Sequence, residues 1–237
     1  MNIIITGASK GIGFELAKLF AKNENNTIVA IARSENLLNE LKNACIKQDL
    51  RNKLKTIPFD LEKTTEIKSV LIPEILKHIK TVDILVNNAG VLINKGFEQF
   101  DPSEIKQIFD INFFSQAAFI KELMPYLNCG NPKHVVNISS MGGFQGSSKF
   151  PGLSYYSASK AALANLTECL AEEYKESGIK FNCLALGSVN TDMLQQAFPK
   201  YKAPVNPLEM AEFICDFAVN GHRYFNGKII PVSLTTP

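Results

Sequence analysis

The sequence predicts an α/β protein whose strands form a doubly wound, mostly parallel sheet. Strand-like and helix-like segments alternate from one end of the chain to the other, which is typical of repeated strand–helix–strand units. The strand-like segments are apolar runs without polar alternation, and such runs indicate strands buried on both faces. With 237 residues the chain is long enough for a complete core, so we expect one domain over residues 1–237.

The predicted elements follow one another in a regular order. Strands are expected at residues 3–6, 27–32, 54–59, 83–86, 133–138, 179–184 and 228–232. Apolar residues at helical spacing predict helices at 13–23, around 37–41, and at 67–79, 102–127, 154–176 and 208–220. Pro73 either interrupts the third of these helices or starts it again. The longest irregular segments are 141–153 and 187–206, and loops of this length are often functional.

Composition and charge argue against several classes of function. The formal net charge is +2 and there is no basic run, so no nucleic-acid partner is expected. No apolar stretch approaches the ~18 residues of a membrane span, and the start of the chain has a strand-like pattern rather than that of a signal peptide. We therefore expect a cytoplasmic protein without a membrane partner.

The cysteines and histidines lack the spacing of a metal site. The five cysteines include no CxxC pair, and the three histidines are scattered. We expect the thiols to be small, buried, apolar groups in a reducing compartment. The cysteines are Cys45, Cys129, Cys169, Cys183 and Cys215.

A glycine-rich turn, TGASKGIG, follows the first predicted strand and precedes a helix. Its glycines, Gly7, Gly11 and Gly13, let the backbone turn tightly and approach a diphosphate, whose charge the free N–H groups at a helix start favour. The spacing is G-x-x-x-G-x-G, whereas dinucleotide sites more commonly have G-x-G-x-x-G. Ordinary strand–helix turns also use glycines, so the turn by itself only favours nucleotide binding.

The end of the second predicted strand bears on the choice of cofactor. NAD sites usually place a carboxylate there for the ribose 2′-hydroxyl, but here Ala32 is followed by Arg33, and Lys10 could reach the same side. Two cations without an anion suit a 2′-phosphate, so NADP(H) is expected in preference to NAD(H). The alternative is that both are solvated surface charges. Asp60, after the third strand, is placed to bind an adenine amino group or to cap the next helix.

Tyr156 and Lys160 form a candidate acid–base pair. Their i, i+4 spacing places both on one face of a helix. A phenol with a pKa near 10 is a poor catalyst at pH 7, and a neighbouring ammonium lowers that pKa. Tyr155 has no lysine four residues on and is the weaker candidate. By itself, the pair could equally be an ordinary pair on a helix surface.

Five motifs in order give the sequence a specific resemblance. They are TGASKGIG, the NNAG of residues 87–90, Asn112, the ISS of residues 138–140, and Tyr156-Ser-Ala-Ser-Lys160. Together they resemble the short-chain dehydrogenase/reductase family in its short single-domain form, over nearly the whole chain. The resemblance implies a three-layer Rossmann fold, a seven-stranded sheet in the order 3-2-1-4-5-6-7, and an NAD(P)-dependent oxidoreductase acting on a small carbonyl or alcohol substrate.

The resemblance also implies catalytic roles. Ser140 would hydrogen-bond the substrate oxygen, and Tyr156 would be the general acid in reduction and the base in oxidation. Lys160 would bind the nicotinamide ribose and lower the pKa of the tyrosine. Asn112 would hold a water of a proton relay, the alternative being a structural amide inside a helix. Ser140 is preferred to Ser139 because it fits the family pattern S-x-x-G.

Cofactor contacts are implied in the same way. They fall in the glycine turn, at the ends of the second and third strands, in the NNAG turn, in the acid–base pair and after the sixth strand, where Thr191 would bind the nicotinamide carboxamide. The residues are Gly7, Ser9, Lys10, Gly11, Ile12, Gly13, Arg33, Asp60, Leu61, Asn88, Ala89, Gly90, Tyr156, Lys160, Gly187, Val189 and Thr191.

The sequence departs from the family pattern near the expected substrate pocket. The segment between Ser140 and Tyr156, residues 141–155, is longer than usual, and Leu186-Gly187 replaces the usual Pro-Gly pair. We expect the pocket between segments 141–153 and 187–206, although core packing explains some of its candidate residues equally well. These are Leu92, Ile93, Phe144, Phe150, Leu153 and Met193, and they do not identify the substrate.

Two other functions are weighed against the oxidoreductase. A nucleotide-binding sensor or scaffold without catalysis would be expected to lose the tyrosine, lysine or serine. An epimerase or dehydratase usually carries an added substrate domain, for which 237 residues leave little room. The resemblance also implies a homotetramer or homodimer, built on helices 102–127 and 154–176.

Overall fold

The computed structural model of the protein describes residues 1–47 and 54–234. Within them, seven strands form one sheet: β1 Asn2–Thr6, β2 Thr27–Ala32, β3 Leu54–Pro58, β4 Ile84–Asn87, β5 His134–Ser140, β6 Lys180–Leu186 and β7 Lys228–Val232. The order is β3-β2-β1-β4-β5-β6-β7, and every neighbouring pair is parallel. The predicted strand order and doubly wound fold are confirmed.

Helices cover both faces of the sheet. They are α1 Gly11–Ala21, α2 Glu35–Lys47, α3 Ile72–Leu76, α4 Pro102–Phe109, α5 Ser115–Leu127, α6 Ser154–Glu173, α7 Asp192–Ala197 and α8 Pro207–Asn220. Two π-helical turns, Ile67–Leu71 and Asp110–Phe114, lead directly into α3 and α5. In the described part of the chain, no helix combines the length and apolarity that a bilayer span requires.

Both faces of β1 are buried, which explains its continuous apolar pattern. Ile3 and Ile5 pack in the core under α1 and α8, and Ile4 packs in the core under α3, α5 and α6. All three side chains are fully buried. Each contributes about 1.5–3 kcal/mol through removal of apolar surface from water, so the strand is firmly held at the centre of the sheet.

The structure corrects several predicted boundaries. Of the two alternatives for Pro73, the second is confirmed, because α3 begins at Ile72 with Pro73 in its first turn, where the missing N–H is tolerated. The α-helix predicted at 67–79 is instead a π turn at Ile67–Leu71 followed by α3, which ends at Leu76. The helix predicted at 102–127 changes to π geometry at Asp110–Phe114. The segment predicted to be irregular at 187–206 contains α7.

β5 and β6 each run two residues beyond their predicted ends. The pairing continues through Ser139 with Ala185 and through Ser140 with Leu186. In β5 the apolar pattern stops at Ile138, but strand pairing depends on backbone hydrogen bonds and continues past it. Ser140 therefore lies on a paired strand rather than in a loop.

The expectation that all five thiols are buried is wrong for two of them. Cys45 and Cys183 are buried and Cys215 is partly buried, whereas Cys129 and Cys169 are exposed. Cys129 follows the end of α5, and Cys169 lies on the outer face of α6. Neither position faces the core.

A buried histidine begins β5, at the edge of the sheet opposite the carboxyl ends of the strands. His134 Nδ1 donates to the carbonyl oxygen of Ala218 (2.9 Å), and Nε2 accepts from Asn182 Nδ2 (3.0 Å). The orientation of the Asn182 amide is fixed because its Oδ1 accepts from the backbone N–H of Lys228 at 3.2 Å. Burial lowers the pKa of His134 to about 4, the Ala218 bond opposes this, and the nearby His222 lowers the pKa further.

Acid is therefore expected to destabilise the fold through His134. The unfolded chain takes up this proton near pH 6.5, but the folded protein does so only near pH 4. The stability contribution is present above pH 6.5 and is lost as the pH falls to 4, by about 3 kcal/mol at 1.4 kcal/mol per pKa unit. The free energy of unfolding, measured with urea between pH 7 and 4, should fall less steeply with decreasing pH in His134→Asn than in wild type. An equally steep fall in His134→Asn and in the exposed control His78→Asn would show that His134 does not cause the acid sensitivity.

Candidate active site

The glycine-rich turn between β1 and α1 forms a backbone cradle. Gly7 has φ +67, a conformation that glycine adopts without strain. A Cβ on Gly13 would lie 2.6 Å from Asn88 Nδ2 and closer still to the Gly7 carbonyl oxygen, so no larger residue fits. Lys10, at the N-cap position of α1, places no side-chain hydrogen bond on the first turn. The helix N-terminus can therefore hold an anion such as a diphosphate. Ser9 and Ile12, in the same turn, are partly buried.

The NNAG turn after β4 is fastened to this cradle. Asn88 Nδ2 donates to the carbonyl oxygens of Thr6 (3.0 Å) and Gly7 (3.2 Å). The Thr6 hydroxyl accepts from the backbone N–H groups of Asn88 and Ala89, both at 3.0 Å. Thr6 is fully buried and was missed as a site residue. The signal that could have found it is a hydroxyl ending an otherwise apolar strand.

The two cations predicted to select a 2′-phosphate each lie near a carboxylate. Lys10 Nζ is 3.2 Å from Asp192 Oδ2, and Arg33 Nη1 is 3.7 Å from Glu62 Oε1. Both pairs are largely exposed, and such ion pairs contribute only about 0–1 kcal/mol. A phosphate could therefore replace either carboxylate.

Asp60 caps a turn rather than a helix. Its Oδ1 accepts from the backbone N–H of Glu62 at 3.1 Å. The helical turn that follows, Thr64–Glu66, has Lys63 at its N-cap position. The predicted helix-cap role is therefore wrong, and the adenine contact stays a prediction. Leu61 is buried in the core on the α3 side.

Tyr156 and Lys160 lie one helical turn apart near the start of α6. Lys160 is 4% exposed, and its Nζ donates to the carbonyl oxygen of Ile138 in β5 at 2.9 Å. Ser140, at the end of β5, hydrogen-bonds the phenol of Tyr156. Ser139 is turned to the other side of the strand, where its hydroxyl donates to the carbonyl oxygen of Lys160 at 2.8 Å.

Gly90 allows the NNAG turn to pack closely against Asn112 and Lys160. A Cβ on Gly90 would lie 3.2 Å from Asn112 Oδ1 and 3.3 Å from Lys160 Nζ. Asn112, Ser140, Tyr156 and Lys160 are thus gathered beside the cradle at the carboxyl ends of β4 and β5, where open α/β sheets bind their ligands.

Burial sets the ionisation of the acid–base pair. It lowers the pKa of Lys160 to about 8, and the Cys183 thiol behind the lysine opposes this. Burial also raises the pKa of Tyr156, and the hydrogen bond from Ser140 opposes this. The lowering of the tyrosine pKa that we expected from Lys160 does not appear, since the ammonium is directed at the Ile138 carbonyl. The phenol is therefore protonated at neutral pH.

Both the oxygen and the nitrogen of the Asn112 side-chain amide form hydrogen bonds within the protein. It lies in the π turn Asp110–Phe114 and is fully buried. Its Oδ1 accepts from the backbone N–H of Val91 (2.8 Å), and its Nδ2 donates to the Val91 carbonyl (2.9 Å) and to Ser159 Oγ (3.0 Å). Both amide hydrogens are used within the protein, so a relay water would have to donate to Asn112 rather than accept from its amide.

The segment after β6 passes over the cradle. Thr191 caps α7 through a hydrogen bond from Leu194 N to its hydroxyl (3.3 Å), and a Cβ on Gly11 would lie 3.2 Å from Thr191 Cγ2. Gly187 donates its backbone N–H to Val232 at 2.8 Å, while the Val189 side chain is buried in the core. The Thr191 methyl group is thus near the predicted diphosphate turn.

Segments 141–153 and 187–206 both contact residues 91–96. Lys95 donates its backbone N–H to Gly152 (3.0 Å), and Asn94 Nδ2 donates to the Ala197 carbonyl (2.9 Å). Among the candidate pocket residues, Phe150 and Met193 are exposed, Leu153 is buried, and Leu92, Ile93 and Phe144 are partly buried. Both segments therefore lie beside residues 91–96.

Comparison with known proteins identifies the class. The chain matches the family model for short chain dehydrogenases over residues 1–202, and it belongs to this family of oxidoreductases. Among its relatives, the ketoacyl reductase HetN of Nostoc sp. is 32% identical over 189 residues, which are 80% of this chain but 63% of that protein. This chain therefore spans less than two thirds of that relative.

Two further comparisons extend over almost the whole chain. The 3-oxoacyl-(acyl-carrier-protein) reductase FabG of Chlamydia muridarum is 28% identical over 242 residues, covering 97% of this chain and 94% of that protein. A solved short-chain dehydrogenase of Shigella flexneri, complexed with NADP, has a TM-score of 0.87 at 24% identity and covers 97% of this chain and 95% of that one. The structural match shows that the fold is shared.

Proposed function

We propose that this protein is an NADP(H)-dependent oxidoreductase that transfers a hydride between the nicotinamide and a carbonyl or alcohol substrate. The observation that carries the proposal is the cluster of Ser140, Tyr156 and Lys160 beside the glycine cradle. A sensor that had lost catalysis has no observation in its favour, since the three side chains are present and buried or half-buried.

The residues of the cradle suit a dinucleotide. The backbone of Gly7 to Gly13 and the start of α1 would hold the diphosphate, and Lys160 would hold the nicotinamide ribose. The bound cofactor supplies or accepts the hydride. The chain's own contribution is to orient both partners and to handle the proton.

Tyr156 handles the proton in this proposal. Burial keeps the phenol protonated at neutral pH by raising its pKa, which suits a general acid in the direction of reduction. As the carbonyl oxygen of the substrate gains negative charge, Ser140 and Tyr156 donate hydrogen bonds to it, and Tyr156 then gives up its proton.

The relatives suggest where to look for the substrate. One is named a ketoacyl reductase and another a 3-oxoacyl-(acyl-carrier-protein) reductase, so a 3-oxoacyl thioester is the first carbonyl to test. We propose that the substrate binds between segments 141–153 and 187–206, within one domain. The cytosolic location and the homotetramer or homodimer stay predictions.

The cofactor preference is the finer part of the proposal. Solved structures of similar fold are complexed with NADH, NADPH, NADP and NAD. The fold alone therefore does not determine whether NAD(H) or NADP(H) is bound. We base NADP(H) on Arg33 and Lys10, whose side chains are more than half exposed and are therefore held only weakly by Glu62 and Asp192.

The test is a fluorescence titration with NADPH and NADH, followed by a panel of carbonyl substrates that begins with a 3-oxoacyl thioester. We expect NADPH to bind about 10-fold or more tightly than NADH, since a charge-assisted hydrogen bond contributes about 1.5–3 kcal/mol. Turnover should be seen as loss of NADPH absorbance. Absence of cofactor-linked turnover over the whole panel would refute the function.

Arg33→Ala is the informative variant in the same titration. It should remove most of the preference for NADPH and leave NADH binding unchanged. Equal losses for both cofactors would show that Arg33 does not contact the 2′-phosphate.

A further inference from the structure

The hydroxyl of Ser159 joins two residues of the site. Ser159 is fully buried and precedes Lys160 on α6. Its Oγ accepts a hydrogen bond from Asn112 Nδ2 at 3.0 Å and donates one to the carbonyl oxygen of Tyr156 at 2.7 Å. One hydroxyl therefore connects the π turn Asp110–Phe114 to the backbone of the candidate acid.

The Asn112 amide depends on this hydroxyl. An amide nitrogen carries two hydrogens, and those of Asn112 go to the Val91 carbonyl and to Ser159. Without the hydroxyl, a buried N–H would lose its acceptor, which is strongly unfavourable. Asn112 would then have to turn or recruit water, and either response would release the π turn from α6.

We propose that Ser159 is a positioning residue, which acts through Asn112 to fix the first turn of α6 and to hold the Tyr156 phenol against Ser140. The proposal rests on the acid–base function proposed for Tyr156. Proton transfer depends steeply on geometry, and a displacement of about 1 Å can lower a rate about 100-fold.

Thr167 provides a matched control two turns further along α6. It is also fully buried. Its Oγ1 accepts from Asn137 Nδ2 at 2.9 Å and donates to the carbonyl oxygen of Leu163 at 2.8 Å. The pair of bonds is the same as at Ser159, but it ties α6 to the middle of β5 rather than to the π turn.

Ser159→Ala should lower kcat about tenfold or more, with the KM for NADPH within about twofold of wild type. Thr167→Val removes the matched hydroxyl and should leave kcat unchanged, even where its thermal stability falls equally. Ser159→Thr, which restores a hydroxyl, should recover part of the loss. Unchanged kcat in Ser159→Ala, or an equal loss in Thr167→Val, would overturn the positioning role.

A double-mutant cycle tests whether Ser159 acts through Asn112. If it does, Ser159→Ala combined with Asn112→Ala should have the kcat of Asn112→Ala alone. Independent, multiplicative losses would overturn the proposal.

Amide hydrogen exchange tests the positioning role of Ser159 independently of the proposed oxidoreductase activity. A wild-type protein without turnover would refute the oxidoreductase, but exchange would still decide the positioning. Ser159→Ala should speed amide exchange in residues 88–94 and 154–160 relative to both wild type and Thr167→Val. Exchange equal to that of Thr167→Val would overturn the role of Ser159 whatever the activity.

Discussion

Replacement of Tyr156 by phenylalanine is expected to lower kcat for carbonyl reduction by about 10³-fold, within the range of 10²–10⁴ typical of a lost general acid. Phenylalanine keeps the ring in the same half-buried place but has no O–H to donate to the substrate oxygen. The contact with Ser140 is lost as well. NADPH binding should stay within about twofold of wild type, because the cradle of α1 is untouched. Steady-state kinetics and a fluorescence titration measure the two effects separately.

The neighbouring tyrosine is a matched control. Tyr155 stacks on Phe97, with ring centroids 5.2 Å apart, and meets Phe100 edge-on at 5.0 Å. Tyr155→Phe keeps these ring contacts, so its kcat should remain near that of wild type. A Tyr156→Phe enzyme with near-full activity, or an equal loss in Tyr155→Phe, would remove Tyr156 from the mechanism.

Gly13→Ala is the second change with a large expected effect. The added methyl group would lie 2.6 Å from Asn88 Nδ2 and 2.9 Å from the carbonyl carbon of Gly7, so the cradle and the NNAG turn must separate. Forced overpacking of this kind destabilises by about 1–3 kcal/mol, which lowers Tm by roughly 2–12 °C in a domain of this size. NADPH binding should weaken about 100-fold, the equivalent of roughly 3 kcal/mol. Calorimetry and the titration give the two values.

Gly178→Ala separates steric overlap from backbone strain. Gly178 has φ +77, and a Cβ there would meet nothing within 4 Å, so only the conformational penalty of about 1–2 kcal/mol applies. Its NADPH affinity should equal that of wild type. If Gly13→Ala bound NADPH as tightly as Gly178→Ala, the glycine turn would not be the diphosphate site.

The fold could be predicted because its main signal is local. Residues such as Ile3 to Ile5 are apolar at every position, since neighbouring side chains enter opposite cores, and a run of this kind is visible in the sequence itself. The boundaries were less predictable. β5 continues through Ser139 and Ser140 by pairing with β6, a contact with residues more than 40 positions away that no local pattern records.

The site could be predicted where a residue belongs to a motif and not where it acts through contacts. Tyr156 and Lys160 are recognisable by spacing. Thr6 and Ser159 take their importance from partners 82 and 47 positions away, which the sequence does not place. The direction of the Tyr156 pKa shift was also missed, because burial outweighs the charge that spacing suggests.

The position of β1 has a consequence for how the chain is assembled. Of the seven described strands β1 is synthesised first, yet it lies inside the sheet between β2 and β4. Synthesis proceeds from the N-terminus, and in this order β2 and then β3 add on one side of β1, after which β4, β5, β6 and β7 add one by one on the other. No strand has to insert between two that are already paired. The sheet can therefore grow by addition at its edges alone. The edge of β1 that receives β4 stays open while β2 and β3 are added, and in the complete sheet only the outer edges of β3 and β7 remain unpaired.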